Sequence, residues 1–128
     1  MTNYSPHSYT ELVIETESAE LLRWCVFTTG STAVVTLAGE MDASNAPALR
    51  TALDEVFDTA PAGITLDLTH LSFLDCSGIR CLVDAAARAS DDGCRLTVLH
   101  PTATVRRVIE LTGAAALLPL SRPTTESH

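Results

Sequence analysis

Residues 64–79 read Ile64-Thr65-Leu66-Asp67-Leu68-Thr69-His70-Leu71-Ser72-Phe73-Leu74-Asp75-Cys76-Ser77-Gly78-Ile79. Ile64, Leu66 and Leu68 alternate with Thr65, Asp67 and Thr69, the period of a strand with one buried face. After Asp75 the period changes: Ile79, Leu82, Val83 and Ala86 recur at helical spacing and are expected to form a buried stripe. Ser77 therefore stands at or next to the first turn of a helix, and Gly78 leaves its hydroxyl uncrowded. A helix start carries backbone N–H groups without partners and tolerates negative charge. A serine there suits a phosphate, or serves as a simple cap in the way Asp75 also could.

Working upstream, Leu21–Thr28 and Thr32–Ala38 are β-rich runs parted by Gly30-Ser31, which reads as a hairpin. Cys25 lies in the first run and is expected in the core. Gly39-Glu40-Met41-Asp42 ends the second run and opens a loop. Ser44 or Asn45 is placed to cap a helix with Pro47 in its first turn, where a missing N–H does no harm. Leu49, Leu53, Val56 and Phe57 line that helix, Arg50, Asp54 and Glu55 lie outside, and Pro61-Ala62-Gly63 stops it.

Downstream, Asp91-Asp92-Gly93 ends the helix that carries Ser77, and Leu96–Leu99 is a strand. A last helix from Thr102 or Ala103 to Thr112 is expected to bury Val105, Val108, Ile109 and Thr112, with Gly113 as its stop. Arg106 and Arg107 fall on its solvent face, with Glu110 at pairing distance. Leu117-Leu118-Pro119-Leu120 is expected as a short final strand. Residues 21–120 make one domain, residues 121–128 a polar tail, and residues 1–20 a mobile extension with one edge strand near Leu12-Val13-Ile14.

A hairpin followed by alternating helices and strands implies right-handed crossovers and a mainly parallel sheet. A parallel strand covered on both faces would be apolar throughout, which Thr65, Asp67 and Thr69 contradict. The fold class is thus α/β, with a mixed, mainly parallel sheet of four to five strands and helices stacked mainly on one face.

Composition narrows function. With 46% hydrophobic and 19% charged residues over 128 positions, the chain reads as one soluble domain, and its longest apolar runs are too short to span a bilayer. Residues 1–20 lack the basic start and apolar centre of a secretory signal, so the cytoplasm is the expected location. Sixteen acidic residues against eight basic ones give a net charge of −8, which disfavours nucleic acid as a partner. There is no lysine, which removes the phosphate-loop lysine and Schiff-base chemistry. Cys25, Cys76, Cys81 and Cys94 form no metal-binding spacing and read as free thiols. No metal or other cofactor is expected, and without a phosphate loop no nucleotide site is assigned. A nucleophile elbow around Ser77 would need glycine where Asp75 and Ile79 stand, and neither His70 nor His100 has an orienting carboxylate, so catalysis is not expected.

Gly39-Glu40-Met41-Asp42, the strand Leu66-Asp67-Leu68 and Phe73-Leu74-Asp75-Cys76-Ser77-Gly78-Ile79 together resemble the STAS domain, and within it the bacterial single-domain anti-sigma factor antagonists. The likeness runs from about Thr32 to Leu120. It implies that Ser77 is phosphorylated by a partner that is both serine kinase and anti-sigma factor. The unphosphorylated protein would bind that partner and free a sigma factor, and a phosphatase would reverse the modification. The implied contact surface comprises Asp42, Asp75, Cys76, Gly78 and Ile79. A phosphate adds about −1.5 to −2 charges, which the helix start is expected to accommodate while a partner surface is repelled.

Two departures stand out. Cys76 replaces the first serine of the family's usual pair, leaving Ser77 the sole hydroxyl of the motif. The family's closing C-terminal helix is short or missing, so a monomer or weak homodimer is expected. The alternatives are a non-switching STAS adaptor in a transporter-associated or signalling complex, and a redox-sensing antagonist working through Cys76.

Overall fold

The computed structural model describes residues 15–121. In chain order the elements are β1 (Glu15–Ala19), β2 (Leu22–Thr29), β3 (Thr32–Met41), α1 (Ala46–Asp58), β4 (Gly63–Leu74), α2 (Cys76–Asp92), β5 (Arg95–Leu99) and α3 (Ala103–Leu111), then a 3-10 turn at Ala114–Ala116. The five strands lie side by side in sequence order. β1–β2 and β2–β3 are antiparallel, whereas β3–β4 and β4–β5 are parallel across α1 and α2. The architecture is the mixed α/β sheet that the alternation of elements implied. An edge strand is present at Glu15–Ala19; the Leu12-Val13-Ile14 patch, the rest of the extension and the tail beyond Ser121 lie outside the described residues.

Strand residues in phase with the helices form the core. Leu22, Val35, Leu37, Leu66, Leu68 and Val98 are completely buried, joined by Trp24, Ala33, Ile64 and Leu96. Their neighbours Thr36, Thr65, Asp67 and Thr97 point to the opposite face and are only half-buried. Cys25 belongs to this open face, because it alternates with Leu22 and Trp24 rather than following them. The expectation that it is core is corrected.

Several helical details also differ from the sequence reading. On α2 the buried stripe is Gly78, Ile79, Cys81, Leu82, Ala85 and Ala89, while Val83 and Ala86 are half-buried. Gly78, Cys81, Leu82 and Ala85 fall at the i, i+3, i+4, i+7 positions, which leaves Val83 and Ala86 at the edge of the stripe. Its C-terminus is closed by Gly93 at φ 70, the left-handed position that glycine adopts freely. On α3, Val105 and Ile109 are buried and Val108 is half-buried, whereas Thr112 is exposed beyond the last turn. Among the described residues no ion pair joins Arg106 or Arg107 to Glu110. The expected final strand reduces to one bridge between Leu120 and Val98, since Pro119 has no N–H to extend a ladder. The α1–α2 pair is tied by Arg50 to Asp84 and by Arg88 to Asp54 and Asp58, with Arg88 over the Phe57 ring at 4.9 Å and held within α2 by Asp92.

β4 positions the site. It runs 12 residues, to Leu74, well past the alternating segment that ends at Thr69. Two register slips against β3 explain why. Thr36 and Ala38 pair with Asp67 and His70, and Gly39 and Glu40 pair with Leu71 and Phe73, so β4 carries an extra residue at each step. Asp67 braces the first slip, accepting from Thr69 N (3.0 Å) and Thr69 Oγ1 (2.6 Å). Ser72 Oγ braces the second by donating to Gly39 O at 2.9 Å. Each slip reverses the in-out phase, so the buried set passes from Leu66 and Leu68 to Leu71 and then Leu74.

Candidate functional site

The two motifs meet at the C-terminal ends of β3 and β4. Met41 pairs with Leu74, and Asp75 N donates to Met41 O at 3.1 Å, which seats the start of α2 beside the residue preceding Asp42. Gly78 is required for this approach: a Cβ there would sit 2.9 Å from Leu74 Cβ and 3.2 Å from Met41 Cγ.

Asp75, not Ser77, caps α2. Its Oδ1 accepts from Ser77 N at 2.9 Å and Gly78 N at 3.2 Å. Two of the unpartnered N–H groups expected to receive a phosphate are therefore already engaged. Among the described residues the Ser77 side chain makes no hydrogen bond, and it is half-buried. The cap reading of Ser77 gives way to that of an unengaged hydroxyl one residue into the helix.

Asp42 is held in a loop of its own making. Its Oδ1 accepts from Ser44 Oγ (2.6 Å) and Ser44 N (2.9 Å), bonds that lower its pKa, the hydroxyl bond most. Asn45, expected as a capping side chain, makes no cap hydrogen bond. Completely buried, it instead accepts from Asp42 N at Oδ1 and donates from Nδ2 to Glu40 O, both at 2.9 Å. It pins the backbone on either side of Met41.

Of the expected contact residues, Cys76 is exposed and Asp42 and Asp75 are half-exposed. Ile79 is only 8% exposed and Gly78 is buried, so of the expected contact residues these two lie beneath the surface that the other three share. Phe73, 41% exposed at the end of β4, is an apolar residue at this rim that the sequence reading did not single out. Of the other cysteines, Cys81 and Cys94 are buried and Cys25 half-buried; all four are free. Burial pushes the Cys81 thiol up to about 11 and raises that of Cys94.

A cleft of about 280 Å³ opens between the starts of α1 and α2, lined by Ala43, Ala46, Pro47, Arg50, Cys76, Ser77 and Arg80. No histidine and no carboxylate lines it. The sequence reading singled out neither arginine for the site: Arg80 could have been found as the residue one helical turn after Ser77, whereas Arg50 arrives from another helix. A larger groove of about 760 Å³ runs over Trp24 between α1 and β1–β2, but no motif residue lines it. Among the described residues no cluster of three or more His, Cys, Asp or Glu could hold a metal ion, and no helix is long and apolar enough to cross a membrane.

A sequence model described as "Mlab, STAS domain" matches residues 26–119, and the chain belongs to the STAS domain family. The chain is similar to an anti-sigma factor antagonist from Mycobacterium paratuberculosis, at 27% identity and a TM-score of 0.72 over 82% of this chain and 89% of that one. It shares its fold with the anti-sigma factor antagonist SpoIIAA in the unphosphorylated form (22% identity, TM-score 0.63, 88% and 91% covered). The Bacillus cell fate determinant SpoIIAA in the phosphorylated form also aligns (22%, 0.59, 88% and 95%). No curated protein matches.

Proposed function

We propose that this protein is a cytoplasmic anti-sigma factor antagonist. Unphosphorylated, it binds an anti-sigma factor with serine kinase activity and so releases a sigma factor. Phosphorylation of Ser77 ends that binding, and a phosphatase restores it. The observation that carries the reading is the Ser77 hydroxyl, which Asp75 relieves of capping and which stands in a cleft beside Cys76. The family and the 27%-identical relative support the same role.

In the transfer step Ser77 Oγ bonds to the terminal phosphorus of ATP held by the kinase, ADP departs, and the hydroxyl proton passes to a kinase base. The product adds about −1.5 to −2 charges to a rim that already holds Asp42 and Asp75. Losing ~1.4 kcal/mol of binding is a tenfold change, so a modest repulsion suffices to switch. On this reading the protein is acted upon, and the kinase supplies the catalysis.

The test incubates the protein and ATP with candidate ATP-binding anti-sigma factors, comparing wild type, Ser77→Ala and Ser77→Glu. Ser77→Ala is expected to bind without accepting phosphate, and Ser77→Glu to bind poorly. Equal binding by wild type and Ser77→Glu would sink the switch and leave the adaptor reading.

A further inference from the structure

Two of the backbone donors in the first turn of α2, Ser77 N and Gly78 N, already serve Asp75. Countercharge for a phosphate on Ser77 therefore falls mainly to side chains. Both charged residues lining the cleft at Ser77 are arginines, in a chain with only eight basic residues against sixteen acidic ones. Arg80 follows Ser77 by three positions on α2, which makes the two side chains neighbours on one helical face. It is exposed, and among the described residues it has no ion pair. Arg50 enters from α1 and is held by Asp84, one further turn along α2. Ala43 and Ala46 are the small side chains that leave the cleft open between them.

We propose that this cleft is the resting site of the Ser77 phosphate, clamped in cis by Arg80 and by Arg50, which leaves Asp84 to reach it. The inference rests on Ser77 being the phosphoacceptor. A guanidinium pairs with phosphate oxygens through two parallel bonds, and a phosphate carries more charge than the Asp84 carboxylate it displaces. The α1–α2 tie is then remade through the phosphate, while the Arg88 network holds the other end of the helix pair. The fold stays as it is. What changes is the surface: Ser77 and Arg80 are withdrawn from any partner, and part of the added charge is neutralised in place. The switch thus removes a contact as well as adding repulsion.

Phosphoserine encoded genetically at position 77 of the full chain allows a test without any kinase. The probe is the phosphate's ³¹P resonance, titrated against pH in the folded protein and in urea, beside the guanidinium N–H signals of Arg50 and Arg80. The carboxylates beside the cleft are Asp84, held by Arg50, and Asp75, held by Ser77 N and Gly78 N, with Asp42 next to Ala43 on the loop; all three oppose the arginines. The folded midpoint is expected about 0.5–1 unit below the unfolded one. Arg80→Gln and Arg50→Gln should each raise it, and Arg107→Gln on α3, outside the cleft, should not. Arg80→Lys, which keeps the charge but not the fork, should restore only part of the shift. A midpoint indifferent to both cleft substitutions, or equally sensitive to Arg107→Gln, overturns the clamp, as do guanidinium signals that do not move on phosphorylation. Because no partner is involved, failure of the kinase experiment leaves this result readable. A flat titration here leaves partner-controlled switching intact.

Discussion

Replacing Asn45 by aspartate keeps the side chain's shape and changes one donor into an acceptor, which isolates what that side chain does. In the native protein Nδ2 donates to Glu40 O at 2.9 Å, and the residue is completely buried. An ionised carboxylate there would face a carbonyl oxygen at hydrogen-bond distance with no water to screen it. The protein can avoid this by protonating the new group, whose O–H then replaces the lost donor. The penalty at any pH is therefore capped at the work of protonating a carboxyl whose unfolded pKa is about 3.9, roughly 4 kcal/mol at pH 7. Because the folded pKa is raised, the destabilisation grows as pH rises above the unfolded pKa. It should grow by about 1.4 kcal/mol per unit until the folded pKa is reached, leaving about 1.5 kcal/mol at pH 5.

Asn45→Ala should instead cost about 2–3 kcal/mol at every pH, from two lost hydrogen bonds and the groups left without partners. Urea unfolding followed by the fluorescence of Trp24, the single tryptophan and only 5% exposed, reads both variants against wild type. A penalty for Asn45→Asp that is the same at pH 5 and pH 7, or under about 0.5 kcal/mol at pH 7, would refute the pinning role.

Two other perturbations test the frame. Gly39 has φ +103, and a Cβ on it would lie 2.1 Å from Leu21 O, a backbone atom that cannot step aside. Gly39→Ala should therefore cost more than about 3 kcal/mol, whereas Gly113→Ala, at φ +79 with open space, should cost about 1 kcal/mol in the same urea assay. The Cys81 thiol, raised to about 11, stays protonated in the fold while the unfolded chain ionises from about pH 9, so stability is full below pH 9 and falls as pH rises toward 11. The loss should total about 2–3 kcal/mol, and an alkaline titration of Cys81→Ala should show a correspondingly shallower decline.

How much was legible follows the physics of each segment. Leu66 and Leu68 declared a half-buried strand because regular pairing preserves a period of two, and helices stacked on one face followed from Thr65 and Asp67. From Thr69 to Leu74 the period is broken by the two slips, so the same strand became unreadable just where it approaches the site. The site's motifs were found as linear patterns, and Ser77, Asp42 and Asp75 do gather at neighbouring strand ends. Their division of labour was not in the pattern. The Asp75 cap and the Asn45 pins are local bonds whose choice among neighbouring polar side chains the pattern does not encode, whereas Arg50 reaches Asp84 from 34 residues away. Ile79 shows the converse: the resemblance implied a contact there, and helical geometry leaves the side chain 8% exposed.

The two slips in β4 also bear on how this chain is to be aligned with its relatives. The inserted residues lie between Asp67 and Phe73, flanked by buried leucines on both sides. Each extra residue is taken up locally, because the ladder resumes with Leu71 opposite Gly39 and Leu74 opposite Met41. A homologue lacking either one would space its buried residues two apart instead of three at that point, with the same face toward the core. Insertions and deletions in this stretch should therefore be accepted singly, and they leave Ser77 where it stands relative to Asp42.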